Sequence, residues 1–233
     1  MTEPTVALAT ICRRNGLQLD EARLLLLRQY VDLLLEWNTR INLVSRADTE
    51  NIWFSHILHC LSILFYVEIP PGARILDIGT GGGFPGIPMA IARPDISVVL
   101  LDSIRKKTTA VQNMVDTLAL TGVTVWTGRA EEMSHDPERK ETFDFVLTRA
   151  VASLEDLARW SRPYLKKDGG SLSGEETKIR PPALVALKGG DLEKEIASAR
   201  MKGHIRAVRV VPMSFPGSTS LGLEDKKLVA ATF

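Results

Sequence analysis

Residues 75–83 read ILDIGTGGG, an apolar run holding one acid and leading straight into a glycine-rich turn. A buried strand that ends in glycines is the opening unit of a parallel, doubly wound sheet. Glycine lets the backbone bend sharply there and lie flat against a ligand, which a Cβ would prevent. In such sheets ligands bind beyond the carboxyl ends of the strands, where the strand order reverses. Gly79 and Gly81 are therefore expected at a binding site.

The pattern downstream agrees. Short apolar runs at residues 75–78, 97–101, 123–126, 143–148, 184–187, 206–211 and 228–232 alternate with helical stretches, among them 107–120, closed by Gly122, and 154–164. Repeated strand, helix, strand predicts an α/β fold with a mostly parallel seven-stranded sheet and helices on both faces. The loop around Pro216, Gly217 and Ser218 is too short for a helical crossover, so the final strand is expected to be antiparallel.

The first seventy residues read as helical. Asp20 is placed to cap a helix carrying Leu24, Leu27, Tyr30, Val31, Leu34 and Leu35 on one stripe, with Leu19 and Leu24 as a staple. A second helix is expected to start near Asp48 or Thr49, and Pro70, Pro71 and Gly72 to stop it. This divides the chain into a helical extension, residues 1–71, packed on a core of residues 72–233. Residues 171–182 read as a polar loop.

Composition narrows the class. The chain has 233 residues, 45% hydrophobic and 24% charged, as in ordinary globular proteins. Two cysteines, Cys12 and Cys60, make no disulfide framework and point to a reducing, cytoplasmic setting. No apolar run approaches the roughly 20 residues of a membrane span, and no signal peptide is read at residues 1–16. A net charge of +1 gives no general argument for a nucleic-acid partner. Any such partner would be held by local clusters: Arg13 with Arg14, Arg105 with Lys106 and Lys107, the Lys202, His204, Arg206 and Arg209 group, or Lys226 with Lys227. Nothing demands more than a monomer.

Gly81, Gly83 and Gly86 satisfy the dinucleotide pattern G-x-G-x-x-G, but Asp77 precedes the glycines from inside the strand, where it can order the loop. Pro85 and Pro88 flank the third glycine and delay the helix. That order suits a cofactor with no pyrophosphate to seat, namely S-adenosylmethionine. Asp102, ending the second strand, is placed to accept hydrogen bonds from both hydroxyls of a ribose. The Gly128-Arg129-Ala130-Glu131 segment follows the third strand, where it can meet an adenine edge. His56, His59 and Cys60 share one face at helical spacing, but a metal would need a further ligand, and no metal is expected.

Several segments occur together and in order: Glu36-Trp37-Asn38 with Ile41-Asn42-Leu43, His56-Ile57-Leu58, DIGTGGGFPGIP from Asp77 to Pro88, Asp102-Ser103 with Lys106, Arg129-Ala130-Glu131-Glu132, Thr148-Arg149-Ala150, and Ala186-Leu187-Lys188-Gly189. In them the chain resembles the bacterial ribosomal small-subunit guanine-N7 methyltransferases, the glucose-inhibited division protein B family. The resemblance implies a Rossmann-like methyltransferase fold, S-adenosylmethionine as cofactor, and N7 of a guanine in 16S ribosomal RNA as methyl acceptor, in naked RNA or the assembled subunit. It also implies that Gly79, Phe84, Ala130, Glu131 and Arg149 line the cofactor site, with Lys106 and Arg149 near the target base as positioning groups and no general base. Together with Asp77, Gly81 and Asp102 these are the candidate site residues. The chain departs from the family pattern at His59-Cys60, where Asp-Ser is usual, at Gly82, and in a longer 171–182 segment. Competing readings are a methyltransferase for protein or small molecules, a dinucleotide-dependent oxidoreductase, and a non-catalytic RNA-binding module.

Overall fold

The computed structural model describes residues 3–167, 172, 178–219 and 221–233. Seven strands form one sheet: β1 (Arg74–Ile78), β2 (Ser97–Asp102), β3 (Val123–Thr127), β4 (Phe145–Arg149), β5 (Ala183–Gly189), β6 (Ala207–Pro212) and β7 (Lys226–Thr232), in the order β3-β2-β1-β4-β5-β7-β6. The first five strands pair in parallel, and β7 runs antiparallel between β5 and β6. The expected mixed sheet is therefore present. Strand order reverses between β1 and β4, so the carboxyl ends of these two strands open the crevice where ligands bind in such sheets.

The alternation of side chains along each strand builds two cores. Ile75, Val98, Leu100, Phe145, Leu147 and Val185 face one way, joined by apolar residues of α1 (Glu3–Arg14), α2 (Glu21–Asn38), α6 (Gly86–Ala92) and α7 (Arg105–Thr117). Leu76, Val99, Leu101, Val146, Leu184 and Ala186 face the other, covered by the short α8 (Ala130–Met133), α9 (Leu154–Ser161) and α10 (Glu193–Lys202). Asp20 caps α2 as expected, its carboxylate accepting from Arg23 N at 2.8 Å.

The second N-terminal helix differs from expectation. A short α3 (Arg46–Thr49) is capped by Ser45, and a π-helical turn (Trp53–Leu58) then leads into α4 (His59–Leu61) and α5 (Ile63–Tyr66). The π turn widens the helix and shifts every later side chain around its axis, which the regular helical spacing did not foretell. Helix α10 was not anticipated either; Ala199 is its one fully buried residue, so its sequence carries no apolar stripe. Of the expected loop 171–182, residues 171 and 173–177 lie outside the described residues, while Ile179 bridges to Val67. No described helix is long and apolar enough to cross a membrane.

Candidate functional site

Strand β1 ends at Ile78, and the chain turns through Gly79, Gly81 and Gly83, all at positive φ (72°, 58° and 103°). Gly79 N and Thr80 N both donate to Leu101 O, at 2.8 and 3.0 Å, which ties the turn to β2. At Gly79 an added Cβ would lie 2.4 Å from Val151 Cγ2, so the backbone there approaches the loop after β4 as only glycine allows.

Asp77 lies beneath this loop, fully buried. One carboxylate oxygen accepts from Thr80 Oγ1 at 2.7 Å and from Gly86 N at 2.9 Å. Burial pushes its pKa up to about 8, against the lowering effect of those two hydrogen bonds. Asp77 was expected among the cofactor's contacts. Its side chain instead points away from the cavity, because strand alternation turns it toward α6 while Ile78 faces the opening. Its contacts brace the loop. They also occupy the amino end of α6, where a pyrophosphate would sit in a dinucleotide enzyme. All seven residues of α6 are buried and the helix begins only at the third glycine, which weighs against the oxidoreductase reading.

Asp102 ends β2, 7% exposed. Its two oxygens accept from Gly81 N at 3.0 Å and Ile104 N at 2.9 Å, so backbone fixes the carboxylate at the rim of the crevice. Above it opens a cavity of about 450 Å³. Its walls come from Ile78 and the glycine loop (Gly79 to Gly82, and Phe84), from Leu101 to Ile104 with Lys107, from Gly128 to Glu131, and from Arg149 to Val151, with Leu43, His56 and Trp160 completing them. Six of the predicted positions plus Arg149 thus share one cavity: Gly79, Gly81, Phe84, Asp102, Ala130 and Glu131. Lys106 does not. It is exposed in the first turn of α7, and the next residue, Lys107, is the cation that reaches the wall.

Arg149, the last residue of β4, projects toward the π-helical turn. Its Nη1 donates to Ser55 O at 3.2 Å, its Nη2 meets His56 Nδ1, and its guanidinium carbon lies 5.1 Å from the centre of the Phe84 ring. Burial, then the charge of Arg149, lowers the His56 pKa to about 4, so the ring is neutral near pH 7. A neutral ring accepting at Nδ1 carries its proton on Nε2, which faces the Asp48 carboxylate at 3.7 Å. Ala150 follows at φ 54°, a left-handed conformation uncommon for a residue with a Cβ. It turns the chain back over the glycine loop. Among the described residues no three His, Cys, Asp or Glu side chains converge as a metal site.

Two supporting residues escaped the sequence reading. Tyr30, placed there among the apolar residues of α2, donates its buried hydroxyl to Gly82 O at 2.9 Å and so holds the glycine loop from the N-terminal helices. Lys188 donates to Ala152 O at 2.6 Å and meets Glu195, which accepts from Leu154 N at 2.5 Å, pinning the loop after β4. The Tyr30 position carried a signal, a hydroxyl on a fully buried stripe that must find a partner. Lys188 stands in the Ala186-Leu187-Lys188-Gly189 motif, but its bracing role carried no signal, because Glu195 lies on the helix that was not foreseen.

Known proteins match both this fold and this residue pattern. Among solved structures, a predicted O-methyltransferase, protein Atu636 from Agrobacterium tumefaciens, superimposes with a TM-score of 0.55 at 15% identity, covering 74% of this chain and 79% of its own. M. jannaschii TYW2 in complex with AdoMet gives 0.53 at 14% identity, covering 83% and 78%. These likenesses establish the Rossmann-like methyltransferase fold. The ribosomal RNA small subunit methyltransferase G of Chlorobium luteolum is 41% identical over 202 residues, spanning 87% of this chain and 77% of that protein. That of Desulforamulus reducens is 34% identical over 242 residues, spanning 99% and 100%. The family model described as GidB, rRNA small subunit methyltransferase G, matches residues 23–219. Motifs, topology and relatives agree, and the chain belongs to the GidB family of rRNA small subunit methyltransferases G.

Proposed function

We propose that the chain transfers a methyl group from S-adenosylmethionine to N7 of a guanine in small-subunit (16S) ribosomal RNA. The observation that carries this reading is the convergence of the glycine loop, Asp102 and Arg149 on one cavity of about 450 Å³. The residues fit the cofactor. Gly79 and Gly81 would let it lie against bare backbone. Asp102 would accept from the ribose hydroxyls with the lone pairs not used by Gly81 N and Ile104 N, and Ala130 with Glu131 would meet the adenine edge. Phe84 and Arg149 close the remaining wall, and Asp77 acts from beneath through the loop it braces. Bound there, S-adenosylmethionine supplies an electrophilic methyl group.

Guanine N7 carries a free lone pair at neutral pH, so the protein has no proton to remove. Its task is to hold N7 in line with the methyl–sulfur bond and to keep water out. Positive charge develops on the purine, so a cation set against N7 would oppose transfer. Arg149, with Nη1 and Nη2 engaged by Ser55 and His56, is instead placed to direct its remaining donors at guanine O6 or a phosphate. Lys106, exposed beside the cavity wall, serves the RNA backbone. A base inside a duplex cannot reach this cavity, so the target is an unstacked nucleotide.

Residues 1–71 form, in this reading, an extension of the methyltransferase core that supplies Tyr30, Ser55 and His56 to the site. The enzyme works as a cytoplasmic monomer, without a membrane. The test is to incubate unmodified small subunits and their protein-free RNA with methyl-labelled cofactor and map the product. Label at one guanine N7 is expected, and Arg149→Ala should abolish it. That variant should still fold and unfold cooperatively, its midpoint lowered by a few degrees for the lost contacts to Ser55, His56 and Phe84. Absence of label in that RNA with the wild-type enzyme would reject the assignment.

A further inference from the structure

Helix α9 serves two surfaces. Its Trp160 walls the cavity described above, while Arg159 and the C-cap residue Arg162 line two adjoining depressions on the flank, of about 450 and about 520 Å³, which share Arg162. Arg159, Arg162, Lys166, Lys167, Lys202 and Arg206 stand in their walls with Glu141, and Asp144, Glu155 and Asp156 lie beside them. Six cations thus face four acids, a local excess of two positive charges on a chain whose net charge is +1.

Four of the six cations rest on acids nearby: Lys166 on Asp144 at 2.8 Å, Lys167 on Glu141 at 2.7 Å, Arg159 on Asp156 at 2.7 Å and Lys202 on Glu155 at 3.8 Å. Arg162 and Arg206 are exposed and pair with no carboxylate among the described residues. Exposed ion pairs are weak and exchange readily for stronger anions. The flank thus presents two uncommitted guanidinium groups and four more cations that a polyanion could recruit. The larger depression sits at the amino ends of β4 and β5, roughly 15 Å from the carboxyl end of β4 that walls the cavity, at about 3.3 Å per strand residue.

One unstacked base contributes little affinity; most protein–RNA affinity comes from phosphates distant from the base being read. We propose that this flank of α9 and the segments around Lys166 and Arg206 is a second RNA surface. It would grip the sugar–phosphate backbone of the same substrate away from the target guanine. The proposal rests on the ribosomal RNA reading above.

The test compares wild type with the Arg162→Gln/Arg206→Gln variant across a potassium chloride series, measuring methylation of unmodified small subunits and binding to protein-free 16S RNA. Two lost phosphate contacts should raise KM for subunits about tenfold near 0.15 M salt and reduce the slope of log affinity against log salt by about 1.5. The kcat, the affinity for S-adenosylmethionine and the thermal unfolding curve should not change. An unchanged KM and salt slope in the folded variant, with wild type active, overturns the second surface alone. Wild type that labels no small-subunit RNA overturns the substrate reading as well. A KM effect confined to assembled subunits, with free RNA bound as before, assigns the flank to a ribosomal protein and overturns the RNA surface.

Discussion

Arg149 lies over Phe84, its guanidinium carbon 5.1 Å from the ring centre, so the end of β4 and the glycine loop meet through one cation–aromatic contact. The same ring is 4.9 Å from His56 and 5.7 Å, edge-on, from Tyr30. Phe84 therefore gathers the π-helical turn, the long helix α2 and the strand end around one side chain. Phe84→Leu keeps most of the apolar volume and removes the π face. A partly desolvated cation–π contact contributes about 1–2 kcal/mol and is already made in the folded protein. The melting temperature is therefore expected to fall by a few degrees, and kcat/KM by roughly tenfold as Arg149 loses its placement. Single-turnover methylation beside a thermal melt checks this; full activity in the Leu variant would show that the contact does not position Arg149.

Tyr30 offers a second, separable test. Its hydroxyl is the donor to Gly82 O, and both groups are buried, so Tyr30→Phe leaves a carbonyl without its partner. The expected stability loss is about 1–2 kcal/mol in urea unfolding. Cofactor affinity should weaken several-fold in titration calorimetry, because Gly82 belongs to the cavity wall. A variant that loses stability but binds cofactor as wild type does would make Tyr30 a packing residue only.

The contrast between Phe84 and Tyr30 shows what was legible in the sequence. The sheet, its final antiparallel strand and most of the cavity wall follow from local patterns: apolar runs, glycines after Ile78, an acid ending β2. What local pattern hides is direction and distance. Asp77 and Ile78 are neighbours on paper, yet alternation sends one under the loop and the other to the cavity. Lys106 and Lys107 differ by one helical step of about 100°, and only Lys107 reaches the wall. The π turn at Trp53–Leu58 carries His56, which regular spacing groups with His59 and Cys60, to Arg149, and Cys60 Sγ lies 4.0 Å from the same guanidinium. Glu195 meets Lys188 only because α10 folds back on α9, which no apolar stripe announced.

Stability should depend on pH from both sides. His56 and His59 are buried, and burial, then Arg149, lowers their pKa values to about 4 and about 3. The unfolded chain thus binds more protons below about pH 6.5, and stability falls as pH drops from there toward 4. Each tenfold difference in proton affinity weighs about 1.4 kcal/mol, so the two rings together weigh several kcal/mol. Asp77 acts in the opposite sense. Its pKa is raised to about 8, so the folded chain holds the extra proton and stability falls as pH rises from about 4 to 8. His59→Leu should flatten the acid limb, and Asp77→Asn, which keeps an acceptor for Thr80 and Gly86, the neutral-to-alkaline one. Urea unfolding at pH 5, 6.5 and 8 reads both; parallel profiles for wild type and variants would contradict these assignments.

Gly79 and Val151 test how the loop after β4 is fitted to the glycine turn. A methyl group on Gly79 would meet Val151 Cγ2 at 2.4 Å and Cγ1 at 2.9 Å, and φ there is 72°. Gly79→Ala therefore carries two separate costs, a steric clash and a left-handed backbone of about 1–2 kcal/mol. Val151→Ala removes the clashing methyls but leaves the backbone cost. The double variant should accordingly recover part, not all, of the lost cofactor affinity, with Val151→Ala alone close to wild type because Val151 is already 38% exposed. The coupling, measured by calorimetry across the four proteins, should be favourable and at least about 1 kcal/mol. Additive effects would mean that Gly79 is required for its backbone alone, and that the loop carrying Val151 yields to a side chain at the turn.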